Sequence, residues 1–435
     1  MSWSRPLWNC SASDLHARVL AGACSVEQIV AATLEHISRR EPDVRAWSWL
    51  DADGALAAAR RQDRDGAHGP LSGVVVGLKD IIDTADMPTA YGAALYRDHR
   101  PLRDAALVTR LRRAGAIILG KTVTTEFAYA APGPTRNPHD AAHTPGGSSS
   151  GSAAAVAAGM AGLAISSQTG GSTIRPAAFC GVIGFKPTLG LVDSSGMKAL
   201  APSSDTVGWH ARSVADIALA FAVLADGPAP ARVGSPIRIA WFPGPHAAEA
   251  SSAAAAALEQ VRRTLQKHGM QFAAPDIEAA DVARLGECNS LIMAVEAAHS
   301  LEPEYHRYCE RLAAPTQRLI ETGRAVPVER YRKALEFVEQ CRAGFDAAMT
   351  NGGFDALLSF SAPGIAPAVA DGTGNSLFNR PWSMLGAPCL GLPCGFSAGL
   401  PLGVQLVARR GADLALLELG GEVERLLQQD LHIPA

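Results

Sequence analysis

Thr144-Pro145-Gly146-Gly147-Ser148-Ser149-Ser150-Gly151-Ser152 is the stretch on which the reading of this 435-residue chain turns. Glycine and serine in this density often make a flexible linker. Here apolar, buried-type segments lie close on both sides, so the stretch reads as an ordered turn. It is not a phosphate loop, because no Gly-Lys-Ser/Thr follows. Gly147-Ser148-Ser149-Ser150-Gly151 also fits the G-x-S-x-G elbow that presents a nucleophile between a strand and a helix, which would make Ser149 the nucleophile. That arrangement needs an acid and then a histidine further along. His432 is available, but it sits where chain ends fray. The residues from 137 to 145 are too rich in Pro, Asn and His to be a good preceding strand.

A second turn follows. Ser166-Ser167-Gln168-Thr169-Gly170-Gly171-Ser172-Thr173-Ile174-Arg175-Pro176 comes after an apolar strand and leads into a helical turn, with Pro176 suited to its first residues. Two consecutive glycines let successive backbone N–H groups point one way, and such a nest at a helix start stabilises negative charge. An oxyanion hole for acyl transfer needs that geometry, and Ser172 stands where a nucleophile would be. Taken alone, the same residues would also serve as a strand–helix turn with a capping serine.

Working outward, the chain alternates short apolar runs with helical patterns. Ser25 and Gln28 form a capping box for a helix ending near Arg40, before Pro42. A second helix covers Asp51 to Arg64. Val74 to Leu78, Ala116 to Leu119, Leu163 to Ser166, Ile237 to Phe242, Leu357 to Phe360 and Leu402 to Ala408 read as buried strands. Asp104 to Ala114, Ser152 to Met160, Ala247 to His268 and Asp413 to Leu427 read as helices. This alternation predicts an α/β fold, a single large domain with a mixed central β-sheet covered by helices on both faces. Pro228 to Pro236 is a candidate boundary between two parts of that sheet, not between independent domains.

A net charge of −3 gives no argument for a nucleic acid or an anionic membrane surface as partner. No window is apolar for long enough to span a bilayer, and the N-terminus does not read as a secretory signal. The eight cysteines are scattered without a C-x-x-C pair, as in a cytoplasmic protein with reduced thiols. His139 and His143 are four apart but flanked by Pro138 and Pro145, a poor frame for a metal site. No metal and no cofactor are expected.

The two turns together resemble the amidase signature family. Ser148 and Ser172 are 24 positions apart, as the family requires. The likeness continues through Ala177 to Thr188, through the lysine segment Gly77-Leu78-Lys79-Asp80-Ile81-Ile82-Asp83-Thr84, and into Pro401-Leu402-Gly403-Val404-Gln405-Leu406. It spans most of the chain, with an N-terminal helical segment to about residue 70 and a core from about 71 to 190. The resemblance implies Ser172 as nucleophile, Ser148 as proton bridge, Lys79 as base and a cis Gly147–Ser148 peptide. It places the oxyanion donors on the backbone of Thr169, Gly170, Gly171 and Ser172, and a supporting hydrogen bond to Lys79 on Ser149. A lysine can be a base only when neutral, and burial can lower its pKa by about 3–5 units. Lys79 follows a run of apolar and small residues, which favours burial.

The commonest family pattern has Asp at Gln168 and Arg directly after the Ser-Ile pair. Here Ile174 takes that slot and Arg175 follows, as in a subgroup resembling malonamidase, so Gln168 and Arg175 are expected at the substrate. Arg175 lies about one helical turn after Ser172. It either holds a substrate carboxylate or forms a structural ion pair under the turn. Asn379-Arg380-Pro381-Trp382 resembles a family segment near the pocket, without an assigned role. The expected reaction is hydrolysis of a small-molecule amide, with carbamates, ureas or anilides as alternatives. A different alternative is an amidotransferase component of the A type, which works in a complex. A homodimer is left open.

Overall fold

The computed structural model describes residues 5–66, 69–225 and 236–431. One mixed sheet of eleven strands runs through it. The strands are β1 (Trp47–Leu50), β2 (Val75–Lys79), β3 (Ile117–Thr122), β4 (Leu163–Gln168), β5 (Ile183–Lys186), β6 (Thr206–Ala211), β7 (Arg238–Trp241), β8 (Gln271–Ala273), β9 (Ala356–Phe360), β10 (Cys389–Ser397) and β11 (Leu400–Val407). Their order is β1-β3-β2-β4-β6-β5-β10-β11-β9-β7-β8. The α/β, single-domain expectation holds. The Pro-rich boundary lies, Pro236 apart, outside the described residues, and the sheet is continuous from one side of it to the other.

β2, β3 and β4 are buried along their whole length. Alternate residues enter different apolar clusters: Val76, Leu78 and Ile165 join one, and Val75, Ile117 and Ala164 the other. Both faces are therefore covered, which is why these strands read as unbroken apolar runs. β2 is parallel to β3 and to β4, with Leu78 opposite Ile165. That register brings Lys79, the last residue of β2, beside the end of β4. The carboxyl ends of parallel strands are where open α/β sheets bind ligands.

Several boundaries move. The first long helix is Val26–Val44, so Pro42 lies inside its last turn. Near a helix end its missing N–H costs one bond only, and Arg45 closes the helix in the left-handed region. The Glu41 carboxylate accepts from the N–H groups of Ala46 and Trp47 as the chain leaves. The helix expected from Ala247 starts instead at Ser252, because the Ser251 side chain caps it by accepting from Ala254 N–H.

The helices Ala279–Ser300 and Ala314–Arg324 pack together beyond the site. They approach so closely that a Cβ on Gly323 would lie 1.9 Å from the Ala294 carbonyl oxygen. Backbone cannot yield as a side-chain tip does. Gly323→Ala should therefore destabilise the protein by about 1–3 kcal/mol, the usual cost of overpacking. Urea unfolding of the variant would show a lowered midpoint at unchanged slope.

Candidate active site

Lys79 has no exposed surface, and its Nζ donates to Ser148 Oγ at 2.7 Å and to Ser167 Oγ at 2.8 Å. Burial disfavours the charged amine and pushes its pKa down to about 7, against a smaller upward pull from the Asp205 carboxylate. The Gly147–Ser148 peptide is cis. Ser148 is 1% exposed and Ser172 9%, so accessibility rises from lysine to second serine. Ser149 N–H donates to the Ser172 carbonyl at 3.4 Å, which sets the two serine turns side by side.

Glycine at 151 explains how the first turn is held. A Cβ there would lie 2.3 Å from Ala46 O and 2.4 Å from Val123 N, and Gly151 N–H donates to Val123 O at 2.9 Å. Only glycine lets the start of the helix Ser150–Ala157 press against the backbone beside β1 and β3.

The second turn is tied from behind through its carbonyls. Asn289 Nδ2 donates to Thr169 O at 3.0 Å, Ser383 Oγ to Gly170 O at 2.7 Å, and Arg175 N to Gly171 O at 3.1 Å. In a planar trans peptide the C=O of one residue and the N–H of the next point in opposite directions. Each tie therefore aims the following N–H, of Gly170, Gly171 or Ser172, away from its anchor. Thr169 is fixed in addition by its hydroxyl, which donates to Asp205 Oδ1 at 2.6 Å.

Two expectations need correction. Ser149 does not hydrogen-bond Lys79: its hydroxyl donates to Ser167 O at 3.2 Å, and the Ser167 hydroxyl takes the place at the amine. The fully buried Ser149 hydroxyl is thus committed to backbone, which also counts against the elbow reading; His432 lies outside the described residues. Gln168 is turned to protein partners. It has no exposed surface, its Oε1 accepts from the N–H groups of Thr173 and Ile174, and its Nε2 donates to Ser383. A neutral amide here both caps the helix Ile174–Cys180 and steadies the serine that holds Gly170. Arg175 forms no structural ion pair among the described residues: it is 6% exposed, and its Nη2 donates to the Gly147 carbonyl beside Ser148. Burial and the neighbouring Arg380 guanidinium both act to lower its pKa.

Ser167, Asp205, Asn289 and Ser383 escaped the sequence reading. Ser167 alone had a local signal, since Ser166 and Ser167 alternate on β4: the first pairs with Thr173 Oγ1 at 2.8 Å and the second meets Lys79.

The profile of the family described as Amidase matches residues 28–417. The A-type component of the glutamyl-tRNA(Gln) amidotransferase of Anaeromyxobacter sp. (strain K) is 34% identical, covering 94% of this chain and 95% of its own. Among solved structures, the peptide amidase from Stenotrophomonas maltophilia aligns with a TM-score of 0.85 at 29% identity, over 97% of this chain and 98% of that one. A chain of the vestigial protein complex tied to the origins of an s-triazine catabolic enzyme aligns with a TM-score of 0.87 at 28% identity, over 98% and 99%.

The buried amine has a cost that can be measured. Its folded pKa of about 7 lies below the ordinary value of 10.5. Between the two the unfolded chain binds more protons, so stability rises with pH through that window, and below it the penalty is complete. Lys79→Met removes the penalty. Thermal denaturation should show the variant gaining most over the parent near about pH 6, with the difference shrinking toward about pH 10. A pH-independent difference would contradict the depressed pKa.

Proposed function

The chain belongs to the amidase family and is an amide-acting enzyme, and we propose that it hydrolyses a small amide through an acyl-enzyme on Ser172. The observation that carries this reading is the buried Lys79–Ser148 hydrogen bond beside the Ser172 turn. A lysine with a pKa near 7 is substantially neutral at physiological pH and can accept a proton.

Ser172 Oγ attacks the amide carbonyl carbon. Its proton passes to Ser148 Oγ as the Ser148 proton passes to Lys79 Nζ. The oxyanion that forms is met by the N–H groups of Gly170, Gly171 and Ser172, with Thr169 shaping the turn they lie on. Such fixed donors are worth most at the moment charge develops. Collapse breaks the C–N bond, and the proton returns from Lys79 through Ser148 to the leaving nitrogen. Water then attacks the Ser172 ester by the same relay in reverse, releasing the acid. Arg175 is a positioning residue in this scheme: its bond to Gly147 O holds the peptide that carries Ser148.

Ser172→Ala should keep the fold and lose turnover by roughly 10^4-fold or more, as when the nucleophile of a catalytic unit is removed. Substantial residual turnover in a folded Ser172→Ala chain would sink the assignment. For the parent, kcat/KM should climb with pH through an apparent pKa near 7 and stay high above it, because the working lysine is the deprotonated one.

A second reading rests on the curated relatives. In an A-type amidotransferase component the same amide cleavage would serve a partner chain, and relatives of that description match almost end to end. Purified chain incubated with primary amides separates the two. Unaided hydrolysis supports the first reading; amide cleavage that appears only when partner chains are added supports the second.

A further inference from the structure

Arg380 belongs to a segment that the scheme above leaves unused. It lies against the Ser172 turn: a Cβ on Gly170 would be 3.6 Å from Arg380 Cγ. Its side chain is half-buried and lines a cavity of about 540 Å³ with Ser290, His246, Thr322 and the exposed Glu287 and Arg330. Two of its N–H groups are held, Nε by Ser376 Oγ at 3.0 Å and Nη1 by Ser290 Oγ at 3.2 Å. A guanidinium has five N–H donors in a rigid fork. Three therefore have no hydrogen-bond partner among the described residues.

Among the described residues no carboxylate forms an ion pair with Arg380, and none with Arg175, which stands close enough to be perturbed by it. Two guanidiniums thus stand near one turn with no ion-pair partner among the described residues, while the Asp205 carboxylate at the same turn accepts from the Thr169 hydroxyl. A desolvated cation left unpaired is costly, and the usual resolution is a partner of opposite charge. Arg175 is already committed to the Gly147 carbonyl and is buried. Arg380 is the one that faces open volume.

We propose that Arg380, braced by Ser290 and Ser376, is the specificity-determining contact for a carboxylate on the substrate, so that the substrate is a short amide bearing an acid group. The planar fork suits a carboxylate accepted bidentately. The Arg380 stem lies beside the Gly170 turn, and in this proposal one small molecule places its amide at Ser172 and its carboxylate at Arg380. This deepens the acyl-enzyme reading and rests on it for the identity of the scissile bond, but not for the binding of the anion.

The test therefore has a binding arm and a kinetic arm. Succinate is titrated calorimetrically into the full-length Ser172→Ala chain, where no chemistry occurs. It should bind, and adding Arg380→Met should weaken it by about tenfold or more. In the chain with Ser172 intact, Arg380→Met should lower the ratio of kcat/KM for succinamate over neutral succinamide by a similar factor. Failure of succinate to bind, unchanged binding in Arg380→Met, or equal loss on both amides would overturn the carboxylate contact. Succinate binding that needs Arg380, in a chain that cleaves neither amide, would uphold the contact while removing the acyl-enzyme reading. If Arg380→Met does not fold, Ser290→Ala frees Nη1 and should produce the same change in ratio, smaller in size; no change would overturn the proposal.

Discussion

The lysine that ends β2 carries an amine to a point with no exposed surface, and two serine hydroxyls are its hydrogen-bond partners there. An isolated ammonium in such a place would cost far more than two neutral hydrogen bonds return. The site accommodates it by shifting the protonation equilibrium toward the neutral amine, a form whose lone pair can take a proton. The Asp205 carboxylate pulls in the opposite direction. Burial of Lys79 requires β3 and β4 on either side of β2 and an ordered serine turn over its end. The parallel centre of the sheet and the two glycine-rich turns are thus parts of one arrangement.

Around that pair the geometry is enforced from a distance. The carbonyls of Thr169 and Gly170 are gripped by Asn289 and Ser383, on helices remote in sequence. Gln168 joins the same lattice, bridging the helix that follows the turn to Ser383. The backbone N–H groups of this turn are therefore fixed by the protein itself, the kind of preorganisation that stabilises developing charge. Arg175 completes the frame by tying the second turn to the first through Gly147.

Local chemistry explains what was readable in the residues. The buried strands β2, β3, β4 and β9 announce themselves as apolar runs, and Ser25 and Gln28 form the capping box that their spacing predicts. Ser148 and Ser172 stood out because the turns holding them carry glycine and serine in a fixed pattern, and Lys79 through the likeness of its segment to the family. β10 did not, because Pro393 and two glycines interrupt Cys389–Ser397 where an apolar run would mark a strand. Asn289 and Ser383 could not be found, since their partners are 120 and 213 positions away and nothing in their own neighbourhoods encodes the contact. Ser149 was placed in the right turn but given the wrong partner. Position in a motif tells which backbone a side chain leaves from, not which neighbour folds over it.

The pairing of β5 with β10 sets an order in time. Lys186 lies opposite Cys389, so the edge of β5 that faces away from β6 has no strand beside it until Cys389–Ser397, far later in the chain, has been made. Ser383 reaches Gly170 from just ahead of that strand. A nascent chain that has already displayed Lys79, Ser148 and Ser172 still lacks the groups that aim the turn, and it exposes an unpaired edge. The Ser172 turn is therefore framed only once Ser383 and the strand that follows it have joined the sheet.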